Sequence, residues 1–577
     1  MHEFRTYEKT INALILWSGH VLGRACRQVL ASKCRNGRIV SERTLRDILR
    51  RNRNTELGRI YDFDGIRTAE DYQKAVPLSS YDDYRPYIER MITGGESRLI
   101  TAGKVRRFAT TTGTVSEKKL IPLVSRSHVP HLYNTLMLAD DLYISMRAKG
   151  LRRRYGKGAI TSESSSAPVD RGSKKKLISE GISSFALFGT KLLFPMLLSI
   201  PAAALADKEP KDMRYIKARY ALQDPGLVFL GGIFMSTVAD LMNYIIDNHD
   251  MLIRDIEKGV IDDSVRMSGA LRAKLTSDLR PDPVRAEELR SIFSGRGDGP
   301  LISLIWKDMS MVSGVGTGDF KPFSDTLRAM CDGSVSFQNL SYASSEAVFG
   351  SVMGPEQTDY LIYPDCGFYE FIPVDGSSDR PLFMHELEEG RLYEIVVTNM
   401  SGLYRYMIRD IIRVTRFEGE TPYIEFVYRA DQITNICGIH LNGDHLKAAV
   451  EKTGEELGVR ITDYSIYADS DARPPRLELF FEAEGDSSKK DPEASEAFDD
   501  ALRSVCRGYE LHRSDGEMAP PVMTRLSHGA YMRYREKQLE AGTSANQLKA
   551  VRVINDKERS DDLRKYARDR SGRGKED

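Results

Sequence analysis

The sequence has few cysteines, and their spacing argues against a metal site built from thiolates. Only six of its 577 residues are cysteine, and none belongs to a CxxC pair. Cys437 and His440 are neighbours, but a single pair of this kind cannot complete a zinc site. We therefore expect reduced, mostly buried thiols in a cytoplasmic protein.

The chain also lacks an excess of charge of either sign. Its 83 basic residues are balanced by 83 acidic residues. A neutral chain produces no overall field that attracts nucleic acid or an anionic membrane, so neither is expected as a partner. Any nucleotide must therefore bind through a local site.

No stretch has the pattern of a signal peptide or a membrane span. The polar start mixes acids with bases, and the short apolar run at 11–17 is not followed by a cleavage site. The apolar segment 182–206 contains a lysine and two prolines. Because a spanning helix needs about 20 unbroken apolar residues, this segment is predicted to be buried helix and loop.

The length of the chain indicates more than one structural unit. A chain of 65.1 kDa is too long for a single hydrophobic core. The pattern of helices and strands restarts near Asp431, so we predict a large domain over 1–430 and a small α+β domain over 431–577. The highly charged tail from about residue 556 is expected to be frayed.

Local patterns predict several individual elements. Amphipathic spacing predicts one or two helices between Glu8 and Asn52, and Ser79 or Ser80 is a suitable cap for a helix over 84–92. Residues 211–254 read as largely helical, with an interruption near Pro225. Residues 301–311 read as an apolar strand that leads into the glycine-rich turn 313–318.

The segment Leu340 to Gly350 has a composition suited to a nucleotide. Tyr342 is placed to stack on a flat base, and Glu346 is placed to hold Mg²⁺, which prefers carboxylate and phosphate oxygens. The small residues between them leave room for close approach to a ligand: Ala343, Ser344 and Ser345. Taken alone, a polar turn explains this segment as well.

A threonine-rich segment at 108–122 is a candidate phosphate site. Backbone amides exposed at such a turn form a concave anion site, to which hydroxyl groups and a lysine add donors. The candidate residues are Thr111, Thr112, Gly113, Thr114, Ser116 and Lys119. The spacing is not that of a Walker loop, and a threonine-rich hairpin with solvent-facing lysines remains an alternative.

Asp410 follows a predicted strand over 403–408. An aspartate at a strand end can accept hydrogen bonds from both hydroxyl groups of a ribose. The alternative is an aspartate on an edge strand, paired with Arg409 or Arg413.

Six separated segments, in order and over nearly the whole chain, resemble one known family. They are Thr111–Lys119, Tyr342–Glu346, Phe368–Phe371, Gly402–Tyr406 with Asp410, Arg429, and Gln547–Lys549. They are similar to the sequence blocks of the Gretchen Hagen type of acyl-acid amido synthetases, the auxin-responsive branch of the adenylate-forming enzymes. Three positions depart from the family pattern: Ser116 stands in place of a glycine, and Met407 and Arg409 stand in place of an arginine and a glycine.

The resemblance implies an α/β fold, with a large adenylate-forming domain of mixed sheets and flanking helices and a small, mobile α+β domain. It implies a monomeric ligase that uses ATP and Mg²⁺ to adenylate a small carboxylic acid and to transfer the acyl group to an amine, expected to be an amino acid. The implied catalytic residues are Lys549, Glu346 and Lys119, with Glu346 on the metal. The implied nucleotide-binding residues are Thr111, Thr112, Gly113, Thr114, Ser116, Tyr342, Ala343, Ser344, Ser345, Tyr369, Asp410 and Arg429.

Two alternatives stay open. A ligase that transfers the acyl group to coenzyme A or another thiol shares the first half-reaction. A nucleotide-binding protein that has lost turnover is the second alternative, and Met407 and Arg409 are its only support. The sequence identifies neither the acid nor its acceptor.

Overall fold

The computed structural model of the chain describes residues 6–110, 119–151, 155–161, 166–168, 178–180, 194–207, 209, 211–295, 299–430, 434–436, 439–441, 443–485, 491–540, 552–554 and 557–567. Helices flank several sheets, which confirms the predicted α/β class. Within these ranges, no helix has the length and apolarity needed to cross a bilayer.

The large domain begins with six helices, interrupted by one short hairpin. They are α1 (Thr6–Arg35), α2 (Gly37–Asn52), α3 (Glu56–Ile60), α4 (Ala69–Ala75), α5 (Tyr81–Thr93) and α6 (Val129–Ala148). Ser80 caps α5, and its backbone N–H donates to the Asp83 carboxylate at 2.7 Å. The predicted N-terminal helices and the predicted cap are therefore confirmed.

The hairpin between α5 and α6 frames the threonine-rich segment. Strands β1 (Arg107–Thr110) and β2 (Leu120–Leu123) pair antiparallel, with Thr110 opposite Leu120. They belong to a four-stranded sheet that also contains β4 (Ser166–Pro168) and β5 (Ile178–Glu180). The two ends of the predicted phosphate loop are thus held together by strand pairing.

A parallel sheet forms the second part of the large domain. Its order is β3-β6-β7-β8, and its strands are Gly158–Ile160, Phe229–Phe234, Met311–Val315 and Ser336–Gln338. The accompanying helices are Phe194–Leu197, Ala202–Ala206, Met213–Gln223, Met235–Asp247, His249–Lys258, Gly269–Asp278, Pro283–Ser294, Leu301–Ile305 and Lys321–Ala329. All of these elements except the short helix Phe194–Leu197 share one hydrophobic core, as expected for a parallel sheet covered by helices.

One prediction is wrong in this region, and another is confirmed but incomplete. Residues 301–305 form a helix rather than a strand, and the strand lies at Met311–Val315, where it overlaps the start of the predicted glycine-rich turn. Residues 211–254 are largely helical with a break near Pro225, as predicted, but the break contains the strand Phe229–Phe234. Short apolar runs fit buried helices and buried strands equally well, so their pattern does not distinguish the two.

An eight-stranded antiparallel sheet forms the third part of the large domain, with the order β13-β12-β14-β15-β16-β11-β10-β9. Its strands are β9 (Tyr342–Ala343), β10 (Val348–Ser351), β11 (Tyr360–Ile362), β12 (Phe368–Pro373), β13 (Leu382–Phe383), β14 (Leu392–Thr398), β15 (Tyr406–Glu418) and β16 (Thr421–Arg429). Buried side chains of α2 to α5 pack against this sheet in one continuous core.

The elements after residue 433, called the small domain below, are built on a sheet with parallel and antiparallel pairs. Its order is β21-β20-β19-β22, with strands Val522–Arg525, Arg476–Glu484, Arg460–Asp469 and Val553–Ile554. Its helices are Gly443–Leu457, Asp491–Val505, Arg507–Ser514, Ala530–Glu540 and Lys557–Arg564, and a short hairpin pairs β17 (Thr434–Ile436) with β18 (Ile439–Leu441). Arg535 of this domain lies 3.3 Å from Asp240 of the large domain.

The tail is more ordered than its composition suggests. Residues 557–564 form a helix, and Leu563 is fully buried in a small core with Phe480 and Tyr534. The prediction of fraying from about residue 556 is therefore wrong over 557–567. This charged segment is helical because burial of the apolar Leu563 side chain in that core is favourable.

Helices α1 and α6 pack closely and share a buried cluster of charges. A Cβ atom at Gly23 would lie 2.2 Å from the Leu136 carbonyl oxygen, so only glycine permits this approach. His20 and Arg27 of α1 contact the Asp140 carboxylate at 2.7 and 3.1 Å. Buried charges of this kind are tolerated when they are paired.

The neighbouring acid, Asp141, links stability to pH. Its side chain is 2% exposed, and burial raises its pKa from 3.8 to about 6. Because the folded protein has the higher pKa, this group stabilises the fold below about pH 4, and the contribution is lost as the pH rises through about 6. Relative to Asp141→Asn, the wild-type protein should gain about 1 kcal/mol of unfolding free energy between about pH 7.5 and about pH 5. Urea unfolding of both proteins at the two pH values measures this gain, and an unchanged difference would contradict it.

Candidate functional site

The threonine-rich hairpin and the segment 342–346 lie side by side. The Ser345 hydroxyl donates to the Thr110 carbonyl oxygen at 2.9 Å, and Thr110 is the last residue before the predicted phosphate loop. The loop residues themselves, Thr111, Thr112, Gly113, Thr114 and Ser116, lie outside the described residues. The structure thus brings together the borders of two motifs that are more than 220 residues apart in the chain.

Lys119 closes the same hairpin and rests on Tyr81 of α5. Its ammonium nitrogen lies 5.6 Å from the centroid of the Tyr81 ring, within the range of a cation–π contact. The Tyr81 hydroxyl also accepts a hydrogen bond from the Leu120 backbone N–H at 3.0 Å. Tyr81 therefore fixes the point where the chain leaves the loop, a role that the sequence did not reveal.

Glu346 is held through its backbone, and its carboxylate remains available. Its backbone N–H donates to the Ser344 hydroxyl at 3.2 Å, and its carbonyl oxygen accepts from the Asn399 amide at 2.8 Å. Within the described part of the chain, the half-buried Glu346 carboxylate forms no ion pair and accepts no hydrogen bond. An unpaired carboxylate beside a phosphate loop suits a divalent cation.

No cluster of three or more metal-binding side chains occurs among the residues that the structure describes. A single carboxylate is nevertheless sufficient for Mg²⁺, because this ion commonly keeps several waters and takes further oxygen ligands from substrate phosphates. The donor set at Glu346 therefore fits the predicted metal.

Asp410 is buried and is held from two sides. It is 6% exposed, its Oδ2 atom accepts from the Tyr342 hydroxyl at 2.7 Å, and its Oδ1 atom lies 3.0 Å from the Nε atom of Arg429. Arg429 stands directly opposite Asp410 in the pairing of β15 with β16. Three residues of three different predicted blocks thus meet at one carboxylate.

Asp410 lies within a strand, not at its end as predicted. Strand β15 is 13 residues long and runs from Tyr406 to Glu418. Its pairing with β14 is irregular next to Asp410. Arg409 occupies this irregularity with a φ angle of +69°, a conformation that normally favours glycine. The strand continues past these polar residues because the bulge absorbs the extra length.

The Arg409 side chain pairs with Glu394, and Arg429 is the arginine that contacts Asp410. Its guanidinium lies 3.3 Å from the Glu394 carboxylate, and its side chain is 47% exposed. The departure from glycine at this position therefore adds a surface ion pair. The alternative in which Asp410 pairs with Arg409 or Arg413 is not what the structure shows.

The Tyr342 ring is enclosed by protein, so little of its face is available to stack on a base. It is 9% exposed, and its ring stacks on Phe349 with centroids 4.8 Å apart. The next residue, Ala343, is exposed. The contact of Ala343 with the base therefore stays a prediction, and the Tyr342 hydroxyl donates its hydrogen bond to Asp410.

Tyr369 does not reach the site. It is 1% exposed, and its hydroxyl donates to the Val348 carbonyl oxygen at 3.3 Å. The structure places the ring in the core of the eight-stranded sheet, so its predicted contact with the nucleotide has no support. The adjacent Glu370 forms an ion pair with Arg405. This pair joins two of the six sequence blocks, Phe368–Phe371 and Gly402–Tyr406, and gives both a structural role.

The segment that carries Lys549 lies outside the described residues, as do residues 431–433 at the predicted domain boundary. Arg552, three residues after Lys549, lines a cavity of about 140 Å³ between the two domains. Thr317 and Phe426 of the large domain line the same cavity, and the Phe426 ring lies 6.3 Å from that of Tyr342. Arg552 is therefore on the same side of the large domain as the site.

This fold and the three sequence blocks that meet at Asp410 are those expected of the acyl-acid amido synthetase class. Three family models match the chain: the GH3 family N-terminal domain over residues 26–336, the central domain over 360–429 and the C-terminal domain over 444–558. The chain belongs to the GH3 family.

Several plant enzymes are similar to this chain over most of their length. The probable indole-3-acetic acid-amido synthetase GH3.1 of Arabidopsis thaliana is 26% identical over 540 residues, with 90% of each chain covered. The jasmonoyl–L-amino acid synthetase GH3.5 of Oryza sativa subsp. japonica is 25% identical over 557 residues, which cover 89% of this chain and 92% of the relative.

A solved structure shows the same fold. The AtGH3.15 acyl acid amido synthetase in complex with 2,4-DB superposes with a TM-score of 0.82 at 22% identity, over 94% of this chain and 96% of that chain. These comparisons confirm the predicted family and fold, and they confirm the prediction of an acid–amido synthetase, that is, a carbon–nitrogen ligase.

Proposed function

We propose that the protein uses ATP and Mg²⁺ to adenylate a small carboxylic acid and then transfers the acyl group to an amine, expected to be an amino acid. The observation that carries this proposal is the meeting of the phosphate-loop border at Thr110, the unpaired carboxylate of Glu346 and the buried carboxylate of Asp410 in one region. In this proposal the three groups contact, in that order, the phosphates, the bound Mg²⁺ and the ribose of one ATP molecule.

The reaction needs activation because a carboxylate is a poor electrophile. In the first step a carboxylate oxygen attacks the α-phosphorus of ATP, and the bond to pyrophosphate breaks. In the second step the amine nitrogen attacks the acyl carbon, loses a proton, and AMP leaves. Amide formation is thereby driven by the loss of pyrophosphate and AMP.

The residues of the site divide this work among them. The loop Thr111–Ser116 and Lys119 would hold the phosphates with backbone amides, hydroxyls and one positive charge. Asp410 would accept hydrogen bonds from the ribose hydroxyls, with Arg429 balancing its charge, and Ala343 to Ser345 would line the base and ribose. Glu346 would hold Mg²⁺, which when bound draws charge off the phosphates.

Lys549 would act from the small domain. An ammonium placed between the carboxylate and the α-phosphate stabilises the charge that develops in adenylation. Movement of the small domain about the segment near Asp431 would then withdraw Lys549 and admit the amine, while the adenylate stays shielded from water. The position of Arg552 in the cavity between the domains supports this arrangement.

The proposal includes a cytoplasmic location and action as a monomer, without a membrane or nucleic acid partner. Its support is the balanced charge of the chain and its cysteine usage, and each described cysteine is free.

A pyrophosphate-release assay tests the proposal. The purified protein is given ATP, Mg²⁺ and a panel of carboxylic acids, alone and with either amino acids or coenzyme A. We expect release that depends on the acid and an amide product that depends on an amino acid. A product that forms only with coenzyme A would assign the protein to thiol-transferring ligases. No release across the panel would favour a binding protein that has lost turnover.

Replacing Glu346 by glutamine should slow adenylation about 100-fold and raise the Mg²⁺ concentration needed for half-maximal rate. The amide keeps the shape of the side chain and removes the charge that attracts the cation. Glu388→Gln is the matched control, because Glu388 is exposed and pairs with Arg391 on the surface. Titration of MgCl₂ in the pyrophosphate assay measures both effects, and an unchanged Mg²⁺ dependence would remove Glu346 from the metal site.

A further inference from the structure

The hydrogen bond between Tyr342 and Asp410 joins strands that are distant in the sheet. Strands β9 and β15 are separated by three other strands, which in a flat sheet would hold them about 19 Å apart. The Tyr342 hydroxyl nevertheless lies 2.7 Å from Asp410. The sheet must therefore curl here, and its bulges in β10, β14 and β15 allow this curvature.

The hydroxyl of Tyr342 is a dependable donor. Burial, followed by the nearby charge of Asp410, raises the pKa of Tyr342 well above its usual value. The phenol therefore keeps its proton at neutral pH, and the carboxylate is the acceptor. A hydrogen bond to an ionised group is stronger than one between neutral groups.

Two side chains contact the Asp410 carboxylate, one at each oxygen. Tyr342 takes one lone pair of Oδ2, and Arg429 lies next to Oδ1. An ionised carboxylate offers about four lone-pair sites, and Tyr342 occupies one of them, so at least one site on each oxygen accepts no hydrogen bond from the described protein groups. The Tyr342 ring stacks on the buried Phe349 ring, which restricts the positions that its hydroxyl can take.

We propose that Tyr342 is a positioning residue, whose hydroxyl orients the Asp410 carboxylate toward the two ribose hydroxyls of ATP. This inference rests on the proposed function, because it assumes that Asp410 receives the ribose. It assigns to Tyr342 a role through its hydroxyl group that is separate from stacking on the base.

The test compares the affinity of wild-type protein and Tyr342→Phe for ATP and for 2′,3′-dideoxy-ATP by calorimetry. Loss of the hydroxyl should weaken ATP binding about 10-fold, the size expected for a hydrogen bond to a charged group. Binding of the dideoxy nucleotide, which has no ribose hydroxyls to present, should change by about twofold or less. A positioning role therefore predicts a loss that depends on the ribose.

Tyr360→Phe is the matched control. Tyr360 is also buried, its ring lies 5.8 Å from that of Tyr342, and its hydroxyl lies 3.1 Å from that of Thr317 instead of Asp410. This variant should keep the wild-type preference for ATP over the dideoxy nucleotide. In an Asp410→Asn background, Tyr342→Phe should cause no further ribose-dependent loss, because the carboxylate that it orients is gone.

The outcomes separate this inference from the proposed function. Equal losses for both nucleotides would show that the Tyr342 ring only packs, and no loss for either would show that the hydroxyl is dispensable. Either result overturns the inference while wild-type binding of ATP leaves the proposed function standing. Failure of the wild-type protein to bind ATP at all would overturn both.

Discussion

Replacing Lys549 by alanine should slow adenylation about 100-fold or more while leaving the protein folded. The lysine is expected to neutralise charge between the carboxylate and the α-phosphate, and loss of one such contact commonly costs about 3 kcal/mol of transition-state stabilisation. Exchange of labelled pyrophosphate into ATP, in the presence of an acid substrate, measures this half-reaction directly.

The second half-reaction provides the sharpest comparison. If Lys549 leaves the site before the amine enters, Lys549→Ala should use a chemically prepared acyl-adenylate at nearly the wild-type rate. Lys565→Ala is the control, since Lys565 is an exposed lysine of the same domain that pairs with Asp562 at 2.7 Å. Equal loss in both half-reactions would show that the lysine acts throughout the cycle, and an unchanged exchange rate would exclude it from the mechanism.

Replacing Arg405 by methionine should lower the free energy of unfolding by about 3–5 kcal/mol. Arg405 is 4% exposed and Glu370 is 1% exposed. The Arg405 Nε atom lies 3.1 and 3.0 Å from the two oxygens of the Glu370 carboxylate, and its NH1 group donates to the carbonyl oxygens of Gln73 and Val76. Methionine fills the space but leaves a buried carboxylate without its cation.

Denaturant unfolding measures this loss, with Arg409→Met as the control on the same sheet. Arg409 is 47% exposed and pairs with Glu394, so its replacement should cost about 1 kcal/mol or less. Adding Glu370→Leu to Arg405→Met should restore part of the stability, because it removes the unpaired charge. If Arg405→Met cost no more than Arg409→Met, the buried pair would not stabilise the fold.

The fold class was predicted from the resemblance of six ordered sequence blocks to one family, and the borders of the site lie at those blocks. Order of blocks, turn residues and polar segments between apolar ones are visible without coordinates. The prediction that Tyr342, Glu346 and Asp410 belong to one region came from family resemblance, and the described residues do lie together. The roles of the phosphate loop and Lys549 remain predictions.

The residues that were misjudged are those whose role depends on strand register. Each residue of Phe368–Phe371 is buried, so alternation could not show that Tyr369 faces the core and Glu370 faces Arg405. Strand β15 was predicted to end before Asp410 because two polar residues usually mark a loop. A bulge opposite β14 allows the strand to continue, and a bulge leaves no clear signal in one sequence.

The pairing of Asp410 with Arg429 also sets a rule for engineering this architecture. Arg429 is the last residue of β16, and the predicted boundary lies two residues beyond it. A chimaera that takes its C-terminal module from another family member must therefore be spliced after Arg429. A splice made earlier in the hairpin would place a foreign strand opposite Asp410, so the cation beside this carboxylate would depend on the donor sequence.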